Sequence, residues 1–289
     1  MISATLSAQS AGNSGLAFLK FGFGARNVAM SDLGVVGVND LSALNYNPSL
    51  LAVTNKTQLS FTHNSLLQDL NSEMFAGSFN AFGLPIAVGV NTTNIADIEI
   101  RTTPGDVQSK FSAHYFNGSI STAFHVLEKF YLGVTYKYIY ENLFSDDASG
   151  YGFDFGVNYQ SDIAGLTFGA AIRNLGSMNQ LRGEPTKLPA DFRLGAAYNF
   201  SLQNSKLDFT VLGGFQKYTS QDYSHIHFGG EAVYDKLLSL RIGYASGYDT
   251  KNLSAGFGVN LKGINLDYAY VPIKYGLGDS HIISILYTF

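Results

Sequence analysis

The chain has 289 residues, of which only 14% are charged, against about a quarter in an ordinary soluble protein, while aromatics reach 14% and glycine occurs 31 times. The absence of cysteine excludes disulfides, thiolate metal sites and cysteine nucleophiles, and a net charge of −4 without a basic block argues against nucleic acid as a partner. No run of roughly 18 apolar residues exists, so a helical membrane span is excluded, and nothing calls for a cofactor or a metal.

Residues 1–14 form a tail. Leu6-Ser7-Ala8 has the small-residue ending of a signal peptide, but a basic n-region and a full apolar stretch are missing. A signal remnant and a disordered tail both fit. Residues 15–55 differ from everything after them. Gly15 to Met30 mixes glycine with aromatics without a sustained period, and Asn39-Asp40 is placed to cap a short helical turn through Ala43 and Leu44 before Pro48 interrupts it. Such a segment suits a space that strands leave open.

Residues 56–289 read as strands. Segments of about ten residues, separated by turn formers, number about fourteen: 57–63, 72–81, 84–91, 113–124, 128–141, 150–160, 164–174, 190–200, 206–217, 223–234, 237–246, 252–261, 264–273 and 280–289. Segments of this length, when tilted, span a bilayer. In the last of them His281, Ile283, Ile285, Tyr287 and Phe289 share one face, and Ser280, Ile282, Ser284, Leu286 and Thr288 share the other. Both backbone edges of that strand need neighbours. An open edge recruits other chains in water, and unpaired N–H and C=O groups are not tolerated in lipid. Closure into a transmembrane antiparallel up-and-down β-barrel of about 14 strands answers both demands.

The connections alternate in length. Short turns are expected at 82–83, 126–127, 161–163, 203–204, 235–236 and 262–263, and longer links at 64–71, 92–112, 142–149, 175–189, 218–222, 247–251 and 274–279. Outer-membrane barrels keep this order, with short periplasmic turns and longer external loops, which predicts an even strand number and both termini in the periplasm. A soluble β fold is the competing reading.

The strand faces divide accordingly. Phe153, Phe155, Val157 and Tyr159 oppose Gly152, Asp154, Gly156 and Asn158; Leu238, Leu240, Ile242 and Tyr244 oppose Ser239, Arg241 and Gly243. A Lys or Arg on the lipid face near mid-bilayer costs about 2–4 kcal/mol. Asp154, Arg173, Arg193, Asp208, Glu231, Arg241 and Asp267 are therefore expected to point inward, as an ionic network bracing the lumen or as a path for a ligand or ion. Tyr115, Tyr140, Tyr151, Tyr198, Tyr234 and Tyr287, near strand ends, are placed to form interfacial girdles.

Catalytic signals are weak. Of the six histidines only His225 and His227 cluster, on one strand face, and Glu231 is about 13 Å from them at the usual rise, so a polar lining explains them better than a metal or proton site. Gly22-x-Gly24 lacks the strand-to-helix setting of a phosphate loop.

Two stretches carry a resemblance. Phe18-Leu19-Lys20-Phe21-Gly22-Phe23-Gly24-Ala25-Arg26 followed by Met30, and then Asp40-Leu41-Ser42-Ala43-Leu44-Asn45-Tyr46-Asn47-Pro48-Ser49-Leu50-Leu51-Ala52, resemble the start of the PorV/PorQ family of outer-membrane proteins, with Ser49 where the family has alanine. That family is related to the FadL-like transporters. The resemblance implies a fourteen-stranded barrel in the outer membrane of a Gram-negative bacterium with residues 15–55 as an internal hatch, and Arg26, Asn45, Asn47 and Pro48 as hatch or gate candidates. It implies a non-catalytic role in type IX secretion, binding secretion components or secreted proteins, alongside outer-membrane lipid as the surrounding partner. The alternative it carries is a transporter of hydrophobic small molecules, with Phe18, Phe21 and Phe23 lining a lumen pocket.

Overall fold

The structure is a computed structural model that describes residues 15–37, 40–66, 70–101, 105–181, 183–202, 205–220, 224–276 and 278–289. The proposed signal remnant, Asn39 and the turn at 203–204 lie outside the described residues. The period-two segments form β1 (Gln58–Ser65), β2 (Leu70–Ala81), β3 (Leu84–Ile100), β4 (Ser109–Leu127), β5 (Phe130–Leu143), β6 (Asp146–Gln160) and β7 (Leu166–Met178). Two short pieces follow, β8 (Gln180–Leu181) and β9 (Glu184–Pro185). The rest are β10 (Asp191–Leu202), β11 (Leu207–Tyr218), β12 (His225–Tyr234), β13 (Leu238–Ser246), β14 (Leu253–Leu261), β15 (Ile264–Pro272) and β16 (Asp279–Thr288).

Fourteen of these strands close into an antiparallel barrel; β8 and β9 pair only with each other, inside the long link between β7 and β10. The seam joins β1 to β16, with Gln58 opposite Thr288 and Ser65 opposite His281. Closure leaves no free edge along the seam, which is what a hydrocarbon surrounding demands.

Side-chain alternation gives each face its solvent. Leu240 is 69% exposed and Ile242 63% exposed on the outside, whereas Arg241 between them is buried. An apolar surface of this extent, running over every strand, belongs in lipid. Of the expected girdle tyrosines, Tyr140, Tyr151, Tyr198, Tyr234 and Tyr287 lie on the outward register, but Tyr115 points inward and stacks on Phe18 at 5.2 Å between ring centroids. Its neighbours Ala113 and Asn117, on the same face, are buried.

The connections differ from expectation in three places. The turn expected at 126–127 lies at Glu128-Lys129, because β4 continues through a register shift between His125 and Leu127. The link at 142–149 is a tight turn at Phe144-Ser145, with Phe144 at φ 60 and strand on both sides. Most of 92–112 is likewise strand: β3 has 17 residues and β4 has 19. Polar residues there suggested a loop, but Asn91 and Thr93 point inward and bond Ser72 across the sheet, with Ser72 Oγ and Thr93 Oγ1 2.8 Å apart. Beyond Ile95 the paired neighbour of β3 is β4 alone, so the two strands rise as a ribbon from the end of the barrel that carries the longer links. We call this the loop end, and the opposite end, where Phe289 lies, the turn end.

The described residues 15–37 and 40–55 occupy the lumen. A 3-10 turn (Ala17–Lys20) is followed by α1 (Ala25–Ala29), α2 (Ala43–Tyr46) and α3 (Leu50–Thr54). Helices this short do not sustain themselves in water, and each is buried against the barrel wall. Where one helical turn was expected there are several, and the cap of the Ala43 turn is a local turn in which Asp40 Oδ1 accepts from Ser42 N at 2.8 Å. The segment crosses the barrel from end to end: Gly15 N donates to Lys187 O at the loop end, and Asn55 leads into β1 at the turn end. The first described residue and the C-terminus are therefore at opposite ends.

Candidate functional site in the barrel lumen

The wall is shaped for the segment it holds. On β5, β6, β7, β10, β11, β12, β13 and β14 the inward position nearest the hatch is glycine, and a methyl group there would meet the hatch. A Cβ on Gly256 would lie 2.6 Å from Ala29 Cβ, and one on Gly214 would lie 2.7 Å from Leu33 Cδ2. On Gly169 it would collide with Val35 O, on Gly156 with Asn47 Oδ1, and on Gly133 with Ser49 N. Much of the chain's glycine is thus a track on which residues 29–35 and 47–49 are seated. Sequence reading placed Gly156 and Gly243 on the polar face without seeing that such glycines mark the path of another part of the chain.

Asn47 clamps the track. Its Nδ2 donates to Val35 O (2.8 Å) within the hatch and to Val157 O (3.1 Å) on β6, while its Oδ1 accepts from Ser49 N (3.2 Å) and Ser49 Oγ (2.6 Å). Asn47 and Ser49 are fully buried, and the serine that stands in the alanine position of the family motif completes the amide's partners. Pro48 ends α2 and sits over Gly133 and Gly156. Asn45 gives its carbonyl to Arg173 Nη1 at 2.5 Å. Tyr46 accepts from Phe23 N at 3.0 Å and donates to Asp32 Oδ1; burial first, and then the Asp32 carboxylate, raise its phenol well above the ordinary range and keep it a donor.

Three ionic groups line the lumen, and the first and third of them tie hatch to wall. In the first, Asp191 accepts a bidentate pair from Arg173 (2.7 and 2.6 Å), one bond from Arg193 Nε (3.1 Å) and one from Gln216 Nε2 (2.5 Å). Arg193 then donates to Asp32 O (2.7 Å) and Leu33 O (2.6 Å) of the hatch. In the second, Lys137 Nζ lies 2.6 Å from Asp154 Oδ2, and Asp154 Oδ1 accepts from Asn174 N at 2.7 Å. There the β6–β7 register shifts, and Asn174 takes φ 56 as the extra residue of a bulge. In the third, Arg26 of α1 makes a bidentate pair with Glu231 (2.9 and 2.6 Å), and Arg241 bridges Glu231 (2.6 Å) to Asp267 (2.6 Å). Burial acts to lower the Arg26 pKa, but the Glu231 carboxylate outweighs it and the net shift is upward.

Asp208 stands apart: it faces the lumen at the turn end, and its Oδ1 accepts from Ser201 Oγ. Sequence reading missed Asp191 and Gln216, and put Lys137 on the polar face without counting it in the ionic network. Asp191 was open to detection, since it lies two residues from Arg193 on the same strand face. His225 and His227 face inward without forming a metal site: His225 stacks on Tyr248 at 3.8 Å, and His227 Nδ1 donates to Ser31 O at 2.6 Å. Among the described residues no group of three or more His, Asp or Glu is placed to hold a metal.

Unfilled space remains at both ends of the hatch. A cavity of about 280 Å³ at the loop end is lined by Phe21, Val28, Leu66, Leu70, Ile273 and Ile282, with Asp32 and Lys251 as its charged members. A polar vestibule of about 290 Å³ opens at the turn end around Arg26, Asp40, Asp208, Lys236 and Asp267. Phe18 and Phe23, expected to line a pocket together with Phe21, are packed away, and only Phe21 borders the loop-end cavity.

The family described as type IX secretion system protein PorV matches residues 6–217. The chain belongs to the PorV family. Several solved structures share its barrel. The toluene transporter TodX of Pseudomonas putida aligns with a TM-score of 0.64 at 13% identity, over 92% of this chain and 96% of that one. The monoaromatic hydrocarbon channel CymD aligns at 0.62 and 12% identity, covering 92% and 97%. A Pseudomonas aeruginosa FadL homologue aligns at 0.53 and 13% identity, covering 92% and 97%. No curated protein matches. At such identities the structures show the fold alone, a FadL-like outer-membrane barrel, and neither the family nor these channels are of an enzymatic kind.

Proposed function

We propose that this PorV-family barrel is a non-catalytic, protein-binding component of type IX secretion, which holds a secretion component or a secreted protein at its loop end. The observation that carries the reading is the filled lumen of a member of a secretion family. With the hatch seated on glycine and locked by buried ion pairs, what the protein offers to others is its rim and the β3–β4 ribbon. We assign the turn end to the periplasm and the loop end to the exterior, as in other barrels of this build. Residues 15–55 act as a plug, and Arg26, Asn45, Asn47 and Pro48 as its fastenings.

The test is purification from the native outer membrane. A secretion-system component or secreted protein should accompany the intact barrel, and should be lost when residues 98–108 are replaced by a short turn while the barrel stays folded. Recovery of the barrel alone would defeat the proposal. The loop-end cavity supports a second reading, transport of a hydrophobic small molecule; unchanged uptake of fatty acids and monoaromatic hydrocarbons in a deletion strain would remove it.

A further inference from the structure

The hatch meets the wall unevenly. From β5 round to β14 it lies on the glycine track, whereas β15, β16 and β1 present ordinary side chains to it and leave space between. Two cavities lie along this side, and the turn-end vestibule, lined by β11 to β15, adjoins the lower of them. The turn-end vestibule shares Arg26, Asp40 and Asp267 with a small cavity of about 20 Å³ that also touches Ala25, Thr62 and Ser284. The loop-end cavity comes next, reaching Gly22, Val28 and Ile282.

What divides the lower two from the upper one is α1, with Ala25 and Arg26 on one side and Val28 on the other. It is a slight partition. Ala25, Val28 and Ala29 rest on Ala269, Val271 and Ile282, Ala25 N donates to Ser284 Oγ at 2.8 Å, Ala29 O accepts from Ser254 Oγ at 3.0 Å, and the Arg26–Glu231 pair is its ionic fastening.

We propose that the β15–β16–β1 wall is a passage for small hydrated solutes, with α1 as the gate and the Arg26–Glu231 pair as its latch, while the rest of the hatch stays on the track. The lining selects the class of solute. Ser60, Thr62, Ser284, Asp267 and Arg26 border the lower part, and an apolar molecule passing there would strip water from ionised groups and return nothing. Water and monovalent ions keep their hydrogen bonds along it. A hydrophobic molecule can lodge in the loop-end cavity, but this route does not carry it through.

Conductance of the full-length barrel in planar lipid bilayers in potassium chloride tests the gate. Wild type stays mostly closed, and Arg26→Ala raises open probability about tenfold or more. Glu231→Gln, which keeps the side chain's volume, does the same and replaces Arg26→Ala should that variant lose the heat-modifiable gel mobility of a folded barrel. A disulfide between Ala25→Cys and Ser284→Cys in the Arg26→Ala background closes the pore until it is reduced. Since the chain has no native cysteine, labelling is read at single sites: in the Arg26→Ala background Thr62→Cys reacts with a charged thiol reagent, and Ala171→Cys beside the track stays protected. Folded latch variants that conduct no more than wild type overturn the proposal. Equal labelling of Thr62→Cys and Ala171→Cys also overturns it, because the hatch would then leave as a whole.

Discussion

The Asn47 clamp gives the sharpest test of how the hatch is held. Asn47→Ala deletes two donated and two accepted hydrogen bonds in a site without water access. At about 0.5–1.5 kcal/mol net for each, the loss comes to roughly 2–6 kcal/mol. Gly156→Ala attacks the same clamp from the wall, because the new methyl overlaps Asn47 Oδ1 and approaches Pro48 Cδ at 3.0 Å. Overpacking of this kind costs about 1–3 kcal/mol. Once Asn47 is alanine the methyl finds room, so the double variant should be less damaged than the sum of the two, with a coupling of about 1–2 kcal/mol. Urea unfolding of the barrel in detergent, followed by hydrogen exchange over residues 40–55, measures both terms. Strictly additive losses would mean that Asn47 and Gly156 do not share a contact, and the glycine-track argument would fall with them.

Other outcomes follow from the same contacts. Asp191→Asn leaves Arg173 and Arg193 buried around a neutral amide and should destabilise the barrel by about 3–5 kcal/mol, read as a lower urea midpoint. Ile242→Arg puts a cation on the lipid face and should cost about 2–4 kcal/mol in vesicles but far less in a water-rich detergent shell, whereas Ser239→Arg, inward at the vestibule, should be tolerated in both. The Tyr46 phenol titrates above its ordinary value of 10.0, so its contribution is complete below that pH and is lost as the pH climbs through its raised pKa. Proteolysis of the hatch should therefore accelerate in strong alkali, and Tyr46→Phe should flatten the part of that rise that belongs to this residue.

The barrel was legible because its signal is repeated. Every crossing restates the alternation seen at Leu240, Arg241 and Ile242, and the terminal strand's need for a partner demands closure. From periodicity and composition the hatch was legible only as a change of texture, since its short helices are held by contacts with Gly133, Glu231 or Arg193, far away in sequence; its place in the lumen came from the family resemblance of two stretches. Asp191 shows the intermediate case, with the right residue type on the right face but its role set by Arg173 on the neighbouring strand. Tyr115 and the strands hidden in 92–112 were misread for one reason. A residue near a strand end was assigned by its chemistry, when the strand continued and its parity decided the matter.

The covalent path through the seam constrains assembly. The stretch that fills the interior is made before β1, and the cylinder is sealed only when the last ribbon, β16, docks on β1. Once that junction has formed, a segment bonded to β6, β10, β12 and β16 has no route in except through an open end of the cylinder. The sheet is thus wrapped about an object already in position, as a cask is raised round a core, and any insertion machinery must hold the final stave off until the contents are stowed.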